Sequence, residues 1–398
     1  MEEWKSYKLG DIASIQTGPF GSQLHNEDYV NNGTPIVTVE HLGAREFTTQ
    51  NLPMVSNEDK ERLIKYSLRE GDIVFSRVGS VDRCSYVGKA QDGWLFSGRC
   101  LRVRAGGTVN PLFLYYYFQK ESVKQEIRSV AVGATMPSIN TKLLSDLNVE
   151  MPSVKAQKRI AEVLSSIDDI IELNNRINHN LEEQAQALYK SWFVNFEPFK
   201  GGQFVDSELG LIPEGWRIGT LSEIADVTMG QSPSGASFNE EGRGIIFYQG
   251  RTEFGFRFPS IKLFTTEPTR FSEPKSILMS VRAPVGDINI SKVRCCIGRG
   301  LASINPHTSS YSFVLYTMKS KAEELDMYNG EGTVFGSINR KELEGLTVLI
   351  PPKDVINSFN TLVTPVDMKV EVLSDEITNL QKQRDTLLPQ LMSGQFTC

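Results

Sequence analysis

The feature that most constrains this sequence is an uninterrupted helical pattern over residues 153–196, which contain no glycine or proline. Apolar or small residues recur there at alternating four- and three-residue steps, the period of a helix that packs lengthwise against a partner helix. They are Ile160, Leu164, Ile167, Ile171, Leu181, Ala185, Leu188 and Trp192. At 1.5 Å per residue such a helix is roughly 60 Å long. It therefore needs a partner of similar length to bury its apolar stripe.

A second stretch repeats this pattern 199 residues later. Nine of the ten corresponding positions are apolar. They are Phe359, Val363, Val366, Val370, Leu373, Ile377, Leu380, Leu387 and Leu391, with Arg384 as the exception. The shared register and length predict that the two stretches pair with each other lengthwise. The alternative is two unrelated amphipathic helices, each packed on its own domain.

Polar residues and prolines interrupt these two stretches. Asn174 and Asn178 lie in the first apolar stripe, where buried polar residues fix the register of coiled coils; the alternative is tolerance on a solvent-exposed helix face. Pro365 and Pro389 lie in the second stretch, and proline lacks the amide donor and clashes with the preceding helical turn. The second helix is therefore predicted to begin at Pro365 as its first helical residue, with a kink or a stop near Leu388.

Composition sets wide bounds on the class of protein. The 398 residues suffice for two or three domains. The apolar runs are too short to span a bilayer and the first residues lack a basic, apolar signal sequence. Five cysteines without CxxC spacing and four scattered histidines predict free thiols in a reducing cytoplasm and no metal site. The net charge is −6, so a nucleic-acid surface would have to be a local basic patch.

The two blocks outside the helical stretches repeat each other. Five anchors match at an offset of 212, and these are Trp4, Leu9, Ile12, Ala13 and Gly18 with Trp216, Leu221, Ile224, Ala225 and Gly230. Residues 72–76 parallel 276–280, residues 98–101 match 298–301, and residues 138–140 match 337–339. A shared frame with diverged loops predicts two sites of one kind that read different ligands. A pseudo-twofold molecule of this type suits duplex DNA.

Further features complete the pattern. The order domain, helix, domain, helix covers nearly the whole chain, and the run SELGLIPEGW opens the second half at residues 207–216. Both helical stretches follow prolines, Pro152 and Pro351, and the first begins with AQKRIA at residues 156–161 followed by SID at residues 166–168. Together these features resemble the DNA-specificity subunits of Type I restriction–modification enzymes.

The resemblance implies an α+β fold with two similar mixed α/β target-recognition domains, separated by two long helices that pair as an antiparallel coiled coil. The segments would be 1–152 for the first recognition domain, 153–200 for the first spacer helix, 201–351 for the second recognition domain and 352–398 for the second spacer helix. Each domain would read one half of a bipartite site in double-stranded DNA. The helical pair would set the spacer and dock two methylation subunits.

Chemistry on DNA is expected from partner subunits. The chain has no GxGxxG, GxxxxGK[ST] or GxSxG motif, so we expect a non-catalytic subunit with no cofactor or metal of its own. The resemblance implies S-adenosylmethionine on the methylation subunits, and ATP and Mg²⁺ on restriction subunits that join through the methyltransferase core. A single-chain restriction and methylation enzyme is the alternative, as is a coiled-coil adaptor that binds only proteins.

Polar and basic residues in loops near the repeated anchors are the candidates for DNA contact. In the first domain they are Arg77, Ser80, Arg83, Arg99, Thr135 and Ser138, and in the second Gln231, Gln249, Arg251, Arg282, Arg299 and Thr333. Arginine pairs with guanine O6 and N7, and glutamine with adenine N6 and N7, while hydroxyls more often hold phosphate. The alternative for any one arginine is a surface charge or an ion pair within its domain. Arg99 and Arg299 match in the repeat, which predicts a shared phosphate contact or a shared structural role.

The apolar residues of the two helical stripes are the candidates for helix pairing and for docking of partner subunits. Aromatic residues crowd the end of the first stripe, at Tyr189, Trp192, Phe193 and Phe196. They are predicted to be either core against the second domain or part of a docking surface.

Overall fold

The structure is a computed structural model that describes residues 3–19, 23–308, 311–330 and 336–394. It divides into two compact units, the first made of Met1–Glu172 and Thr378–Cys398 and the second of Leu173–Ile377. Each unit contains one mixed domain and part of both long helices. The division into four numbered segments stays a prediction, because these units cut across the helices. Within the described ranges, no helix combines the length and apolar character needed to cross a membrane.

The described residues of the first unit form ten strands and five short α-helices. The strands are β1 (Lys5–Lys8), β2 (Ala13–Thr17), β3 (Tyr29–Val30), β4 (Thr34–Val37), β5 (Met54–Val55), β6 (Ile73–Ser76), β7 (Cys84–Tyr86), β8 (Leu95–Phe96), β9 (Cys100–Ala105) and β10 (Asn148–Met151). The helices are α1 (Leu9–Ile12), α2 (Asn57–Arg62), α3 (Pro111–Gln119), α4 (Glu121–Val130) and α5 (Thr141–Ser145), and the first long helix α6 (Val154–Phe193) follows.

The core of the first domain lies between its main sheet and helix α3. The sheet has the order β2-β9-β6-β7, and every residue of β6 is buried, as expected for an apolar central strand. A second sheet has the order β3-β5-β4-β8. The sequence predicts one helix over residues 111–128, but the structure has two, because Lys120 is in an extended conformation with ψ at 131°.

In the second unit, the part of the chain that the structure describes forms thirteen strands and three short α-helices. The strands are β11 (Phe204–Ser207), β12 (Gly210–Pro213), β13 (Arg217–Thr220), β14 (Ala225–Met229), β15 (Phe238–Asn239), β16 (Ile245–Tyr248), β17 (Phe264–Thr265), β18 (Phe271–Ser272), β19 (Ile277–Val281), β20 (Val285–Ile290), β21 (Cys295–Ile297), β22 (Leu301–Pro306) and β23 (Thr347–Ile350). The helices are α7 (Ser312–Ser320), α8 (Ala322–Asp326) and α9 (Arg340–Glu344), and the second long helix α10 (Lys353–Leu391) follows.

The second domain repeats the topology of the first. Its main sheet has the order β14-β22-β19-β20, which corresponds strand for strand to β2-β9-β6-β7. The pairing of β13 with β23 likewise corresponds to that of β1 with β10. Gly18 and Gly230 occupy equivalent places, where an added Cβ would lie 2.1 Å and 2.2 Å from a backbone oxygen. The predicted fold class, two similar mixed domains and two long paired helices, is confirmed.

Helix α10 is longer than its prolines predict. It begins at Lys353 rather than at Pro365, and it continues past Leu388 to Leu391. The predicted start at Pro365 is therefore wrong, while the helix does end close to the predicted stop, three residues after Leu388. Pro365 is on the exposed side of the helix, where the carbonyl oxygen that loses an amide donor can face water.

The two long helices run antiparallel where they pack together. In the first unit Asp168 of α6 pairs with Arg384 of α10 at 2.8 Å, and Ile160 and Leu164 share a core with Leu391. In the second unit the ring centroids of Tyr189 and Phe359 are 6.0 Å apart. The predicted stripe residues divide into two sets. Buried are Ile160, Leu164, Ile171, Ala185, Phe359, Val363, Val370, Leu373, Ile377 and Leu391, and half-buried are Ile167, Leu181, Leu188, Trp192, Val366, Leu380 and Leu387.

Several polar side chains are also buried on the long helices. Asn174 and Asn178 are 6% and 2% exposed. Among the described residues, neither Nδ2 of Asn174 nor Oδ1 of Asn178 has a hydrogen-bond partner. Asp168 and Asp367, which the apolar pattern did not single out, are 5% and 1% exposed. A buried charge is costly without a partner, so each of these two aspartates requires one.

Candidate nucleic-acid interface

Each buried aspartate fixes a domain to a long helix through a tyrosine. The hydroxyl of Tyr116, on α3, donates to Asp168 at 2.6 Å, and the hydroxyl of Tyr316, on α7, donates to Asp367 at 2.9 Å. Burial raises the pKa of both tyrosines above its ordinary value, so each hydroxyl keeps the proton that it donates. The same contact therefore positions both domains.

One end of the main sheet in the first domain brings together most of the predicted contact residues. The amide of Arg77 donates to the carbonyl oxygen of Arg99 at 2.8 Å, and Ile139 donates to the carbonyl oxygen of Arg77 at 2.9 Å. Because Arg77 directly follows β6, it joins the loop before β9 to the loop before α5. Three separate parts of the chain thus meet at Arg77.

The three predicted hydroxyl residues lie beside Arg77. The amide of Gly79 donates to the carbonyl oxygen of Pro137 at 2.8 Å, so the loop of Ser80 contacts the loop of Thr135 and Ser138. Ser80 and Thr135 are exposed, whereas Ser138 is half-buried and its hydroxyl donates to the carbonyl oxygen of Val132 at 3.1 Å. Hydroxyls in such loops are suited to phosphate contact.

A cleft of about 700 Å³ opens beside these loops. Arg77 and Arg99 line one part of it, and Glu40 and Asn51 line another. The Nη1 atom of Arg77 donates to the carbonyl oxygen of Gly98 at 3.3 Å. Arginine can read guanine, and glutamate can accept from cytosine N4, so the cleft has groups for base edges. Arg83 is directed elsewhere, since it donates to the carbonyl oxygen of Leu42.

The second domain builds the same frame with different side chains. The amide of Val281 donates to the carbonyl oxygen of Gly300 at 2.9 Å, and Ile338 donates to that of Val281 at 3.1 Å. Val281 therefore holds the place of Arg77, and Gly300 holds that of Arg99.

The predicted match of Arg99 with Arg299 is wrong by one residue. In the sheets Ser76 pairs with Cys100, and Ser280 pairs with Leu301. Leu301 is thus equivalent to Cys100 rather than to Leu101, and Arg299 is equivalent to Gly98. The loop before the strand differs between the domains, and the sequence match of glycine and arginine concealed this shift. The two arginines are therefore not at equivalent backbone positions, and contact of either one with phosphate stays a prediction.

Backbone hydrogen bonds bring together three of the predicted residues of the second domain. The backbone amide of Gln231 donates to the carbonyl oxygen of Ile297 at 3.0 Å, and the backbone amide of Gly298 donates to the carbonyl oxygen of Tyr248 at 2.8 Å. Exposed Gln231, Gln249 and Arg299 are therefore on neighbouring segments. A Cβ on Gly298 would lie 2.9 Å from Cα of Gln249, so this approach requires glycine.

Arg251 and Arg282 contact other segments of the second domain. Arg251 pairs with Asp287 beside a cleft of about 540 Å³. Arg282 is exposed, and its backbone forms a β-bridge with Ser337. Thr333 lies outside the described residues. For all twelve predicted residues, DNA contact itself stays a prediction.

Four residues that sequence reasoning missed carry much of this geometry. Glu40 and Asn51 line the first cleft, and Asn51 has a φ of 54°; no signal in a single sequence marks either one. Arg45 and Arg257 connect the domains to the long helices. These arginines are 212 residues apart, the offset of the tryptophan anchors, so extending the repeat inward from the anchors would have found them.

Comparison with known proteins gives a consistent family. Residues 1–183 and 213–357 match the model of the type I restriction modification DNA specificity domain. The putative type I restriction enzyme MjaX specificity subunit of Methanocaldococcus jannaschii is 31% identical over 99% of this chain and 94% of the relative. The HindI specificity subunit of Haemophilus influenzae is 24% identical over the full length of both chains, 100% of each.

A solved structure agrees with the fold. The type I restriction–modification S subunit from M. genitalium superposes with a TM-score of 0.61 at 17% identity, covering 98% of this chain and 96% of that one. At that identity the likeness concerns the fold.

Proposed function

Because this chain belongs to the DNA-specificity subunits of type I restriction–modification systems, we propose that each of its domains reads one half of a bipartite DNA sequence. The observation that carries this proposal is the shared frame with exchanged side chains. Arg77 and Arg99 of the first domain are replaced by Val281 and Gly300 of the second. A bidentate arginine contact discriminates between bases by ~1–3 kcal/mol. Equivalent positions with such different chemistry suit two different half-sites.

The paired long helices set the distance between the half-sites and carry the methylation subunits. Exposed apolar side chains on their outer surfaces support docking of a protein partner, because such groups favour burial at an interface. In the first unit these are Val163 and Ile170, and in the second Leu173, Leu362, Met368 and Val372. Val163 and Leu362 are 199 residues apart, as are Leu173 and Val372. A surface that recurs with the internal repeat suits two copies of one partner.

Catalysis belongs to the partner subunits in this proposal. The methylation subunits bring S-adenosylmethionine, and the restriction subunits bring ATP and Mg²⁺. This chain contributes recognition and assembly. A test is to measure S-adenosylmethionine binding by the purified chain and by its complex with the methylation subunit. Binding by the chain alone would favour the single-chain enzyme instead.

Exchange of recognition loops tests whether each domain reads its own half-site. The loops of residues 77–80 and 98–99 are replaced by those of a relative with another target, and methylated sites are mapped by sequencing the DNA of cells that express the complex. We expect the first half of the recognised sequence to change and the second half to persist. The matched control exchanges residues 281–284 and 298–300. A change in both halves after either exchange would contradict separate reading.

Lengthening the helices tests the spacer role. Insertion of about one helical turn, ~4 residues, into the same level of α6 and α10 should lengthen the unread gap between the two halves. The half-site sequences should stay as they were. Methylation mapping that returned the original gap would remove the spacer role while leaving base reading intact.

A further inference from the structure

In both domains an eight-residue loop directs one arginine towards the long helices. The loops span residues 41–48 and 253–260. Each is closed by a hydrogen bond from its last amide to its first carbonyl oxygen, Thr48 to His41 at 3.1 Å and Ser260 to Glu253 at 2.8 Å. The arginine is the fifth residue of each loop, Arg45 in one and Arg257 in the other. The loops are therefore equivalent although their sequences differ.

The backbone of each arginine is fixed to an equivalent strand. The amide of Tyr86, at the end of β7, donates to the carbonyl oxygen of Arg45 at 2.9 Å. The amide of Ile290, at the end of β20, donates to that of Arg257 at 2.8 Å. Since β7 and β20 are the corresponding edge strands of the two main sheets, the arginines depart from the same place in the fold.

The Arg257 side chain joins its domain to both long helices. It is 1% exposed. Its Nη1 atom donates to Asp367 of α10 at 2.8 Å, and its Nη2 atom donates to Glu182 of α6 and to the hydroxyl of Tyr316 at 3.0 Å. Lys319 also contacts Glu182, so two cations face two anions. A buried network that is balanced in this way fixes geometry, because loss of one member leaves an unpaired charge.

The Arg45 side chain makes the corresponding contact in the first unit. Its Nε and Nη2 atoms donate to the two carboxylate oxygens of Glu172 at 2.8 Å and 2.6 Å, a bidentate geometry that restrains orientation. Nη2 also contacts Asp169. Both carboxylates belong to α6. Asp168 is instead neutralised by Arg384 of α10.

Each anchored loop begins with a short turn that lines a cleft. A 3₁₀ turn at Val39–His41 lines the first cleft, together with Arg77 and Arg99. The equivalent turn at Arg251–Glu253 carries Arg251, which lines the second. The last residue of each turn is the first of the anchored loop. The contact of the arginine with the long helices therefore fixes the position of the cleft relative to those helices.

We propose that Arg45 and Arg257 are positioning residues that lock each domain to the long helices and thereby restrict the spacer length that the subunit accepts. The proposal rests on the proposed function, in which the helices set the gap between half-sites. Neither arginine reads a base in this role. One base pair corresponds to about 3.4 Å along the duplex, so slippage of a domain by that distance admits a neighbouring spacer.

The test uses the complex of the full chain with its methylation subunit and a DNA library. The library holds both half-sites constant and varies the gap between them by single base pairs. Arg257→Met should raise methylation of gaps one base pair shorter or longer by about tenfold relative to the preferred gap, as loss of a buried charge contact permits. The discrimination within each half-site should stay as in the wild type. Arg243→Met, which removes an exposed ion pair with Glu241, is the control.

A second variant separates positioning from folding. Arg257→Met leaves Asp367 buried without its cation, so Arg257→Met with Asp367→Asn removes both charges and leaves Glu182 paired with Lys319. This double variant should fold and should still accept the altered gaps, and Arg257→Lys should restore part of the wild-type preference. A folded double variant with the wild-type gap preference would overturn the lock. A wild-type complex without any preferred gap would overturn the proposed function instead.

Discussion

Asp168 and Asp367 are 199 residues apart in the chain, yet each is buried on a long helix and accepts a hydrogen bond from a tyrosine hydroxyl. The cations around them differ. Arg384 of the opposite helix neutralises Asp168, whereas Arg257 of the recognition domain neutralises Asp367. The repeat has thus kept the anion and the hydroxyl donor while the counter-charge moved to another element.

Tyr316→Phe should destabilise the second unit. The substitution removes a hydrogen bond to a buried carboxylate, and bonds to charged groups are worth ~1.5–3 kcal/mol. The free energy of unfolding, measured by urea denaturation, should fall by about that amount. Tyr7→Phe removes the hydroxyl of an exposed tyrosine and is the control. Equal stability of the two variants would show that the Tyr316 contact contributes little.

Stability should depend on Glu182 as the solution is acidified. Burial alone would raise the pKa of Glu182, but Arg257 and Lys319 outweigh burial and hold the pKa below its ordinary value of 4.5. A carboxyl group with a lowered folded pKa contributes stability above its unfolded pKa and loses it as the pH falls through the folded pKa. Glu182→Gln should therefore be less stable than the wild type near neutral pH. The difference in free energy of unfolding between the two proteins should become smaller below about pH 4.5.

Denaturation curves of wild type and Glu182→Gln at several pH values measure this difference in free energy of unfolding. Glu183→Gln changes an exposed neighbour on the same helix and should follow the wild type throughout. A difference in free energy of unfolding that stays the same at every pH would mean that the carboxyl charge of Glu182 does not stabilise the fold.

Arg77→Ala should relax one base position in the first half-site. Loss of one bidentate contact reduces base discrimination by ~1–3 kcal/mol, and the second half-site should be unaffected. Methylation mapping of the complex measures both. Arg62→Ala, which removes an exposed pairing with Asp59, is the matched control. A uniform loss of methylation at all sites would assign Arg77 to phosphate contact instead.

Pro365→Ala should stabilise the second helix. It restores the amide donor that proline lacks at an exposed, interior helical position, and proline costs ~3 kcal/mol relative to alanine there. The free energy of unfolding should rise by about 1–3 kcal/mol. Pro389→Ala, near the helix end at Leu391, should have a smaller effect because few hydrogen bonds follow it. A decrease for Pro365→Ala would mean that the helix uses the proline.

The sequence was informative where one physical rule acts along the chain. Helical periodicity and its recurrence after 199 residues identify both long helices, because apolar stripes must be buried. The same rule overlooked Asp168 and Asp367, since a search for apolar positions passes over buried charges. It also misplaced the start of α10, because packing of the surrounding apolar residues outweighs the local cost of Pro365.

Site prediction failed where three-dimensional pairing decides the answer. The equivalence of Leu301 with Cys100 follows from strand register, which a match of short motifs does not reveal. The roles of Arg45 and Arg257 depend on the carboxylates of Glu172 and Asp367, which are 127 and 110 positions away in the sequence. Such pairs have no local signature.

The two arginine contacts differ in their exposure to ions. The side chains of Arg45 and its partners Glu172 and Asp169 are 14%, 18% and 65% exposed, whereas those of Arg257 and Asp367 are each 1% exposed. Dissolved salt weakens attraction between charges that water can reach and acts far less on charges shielded from it. As ionic strength rises, the first recognition domain should therefore lose its fixed placement before the second does, and errors in target choice should begin in one half of the sequence.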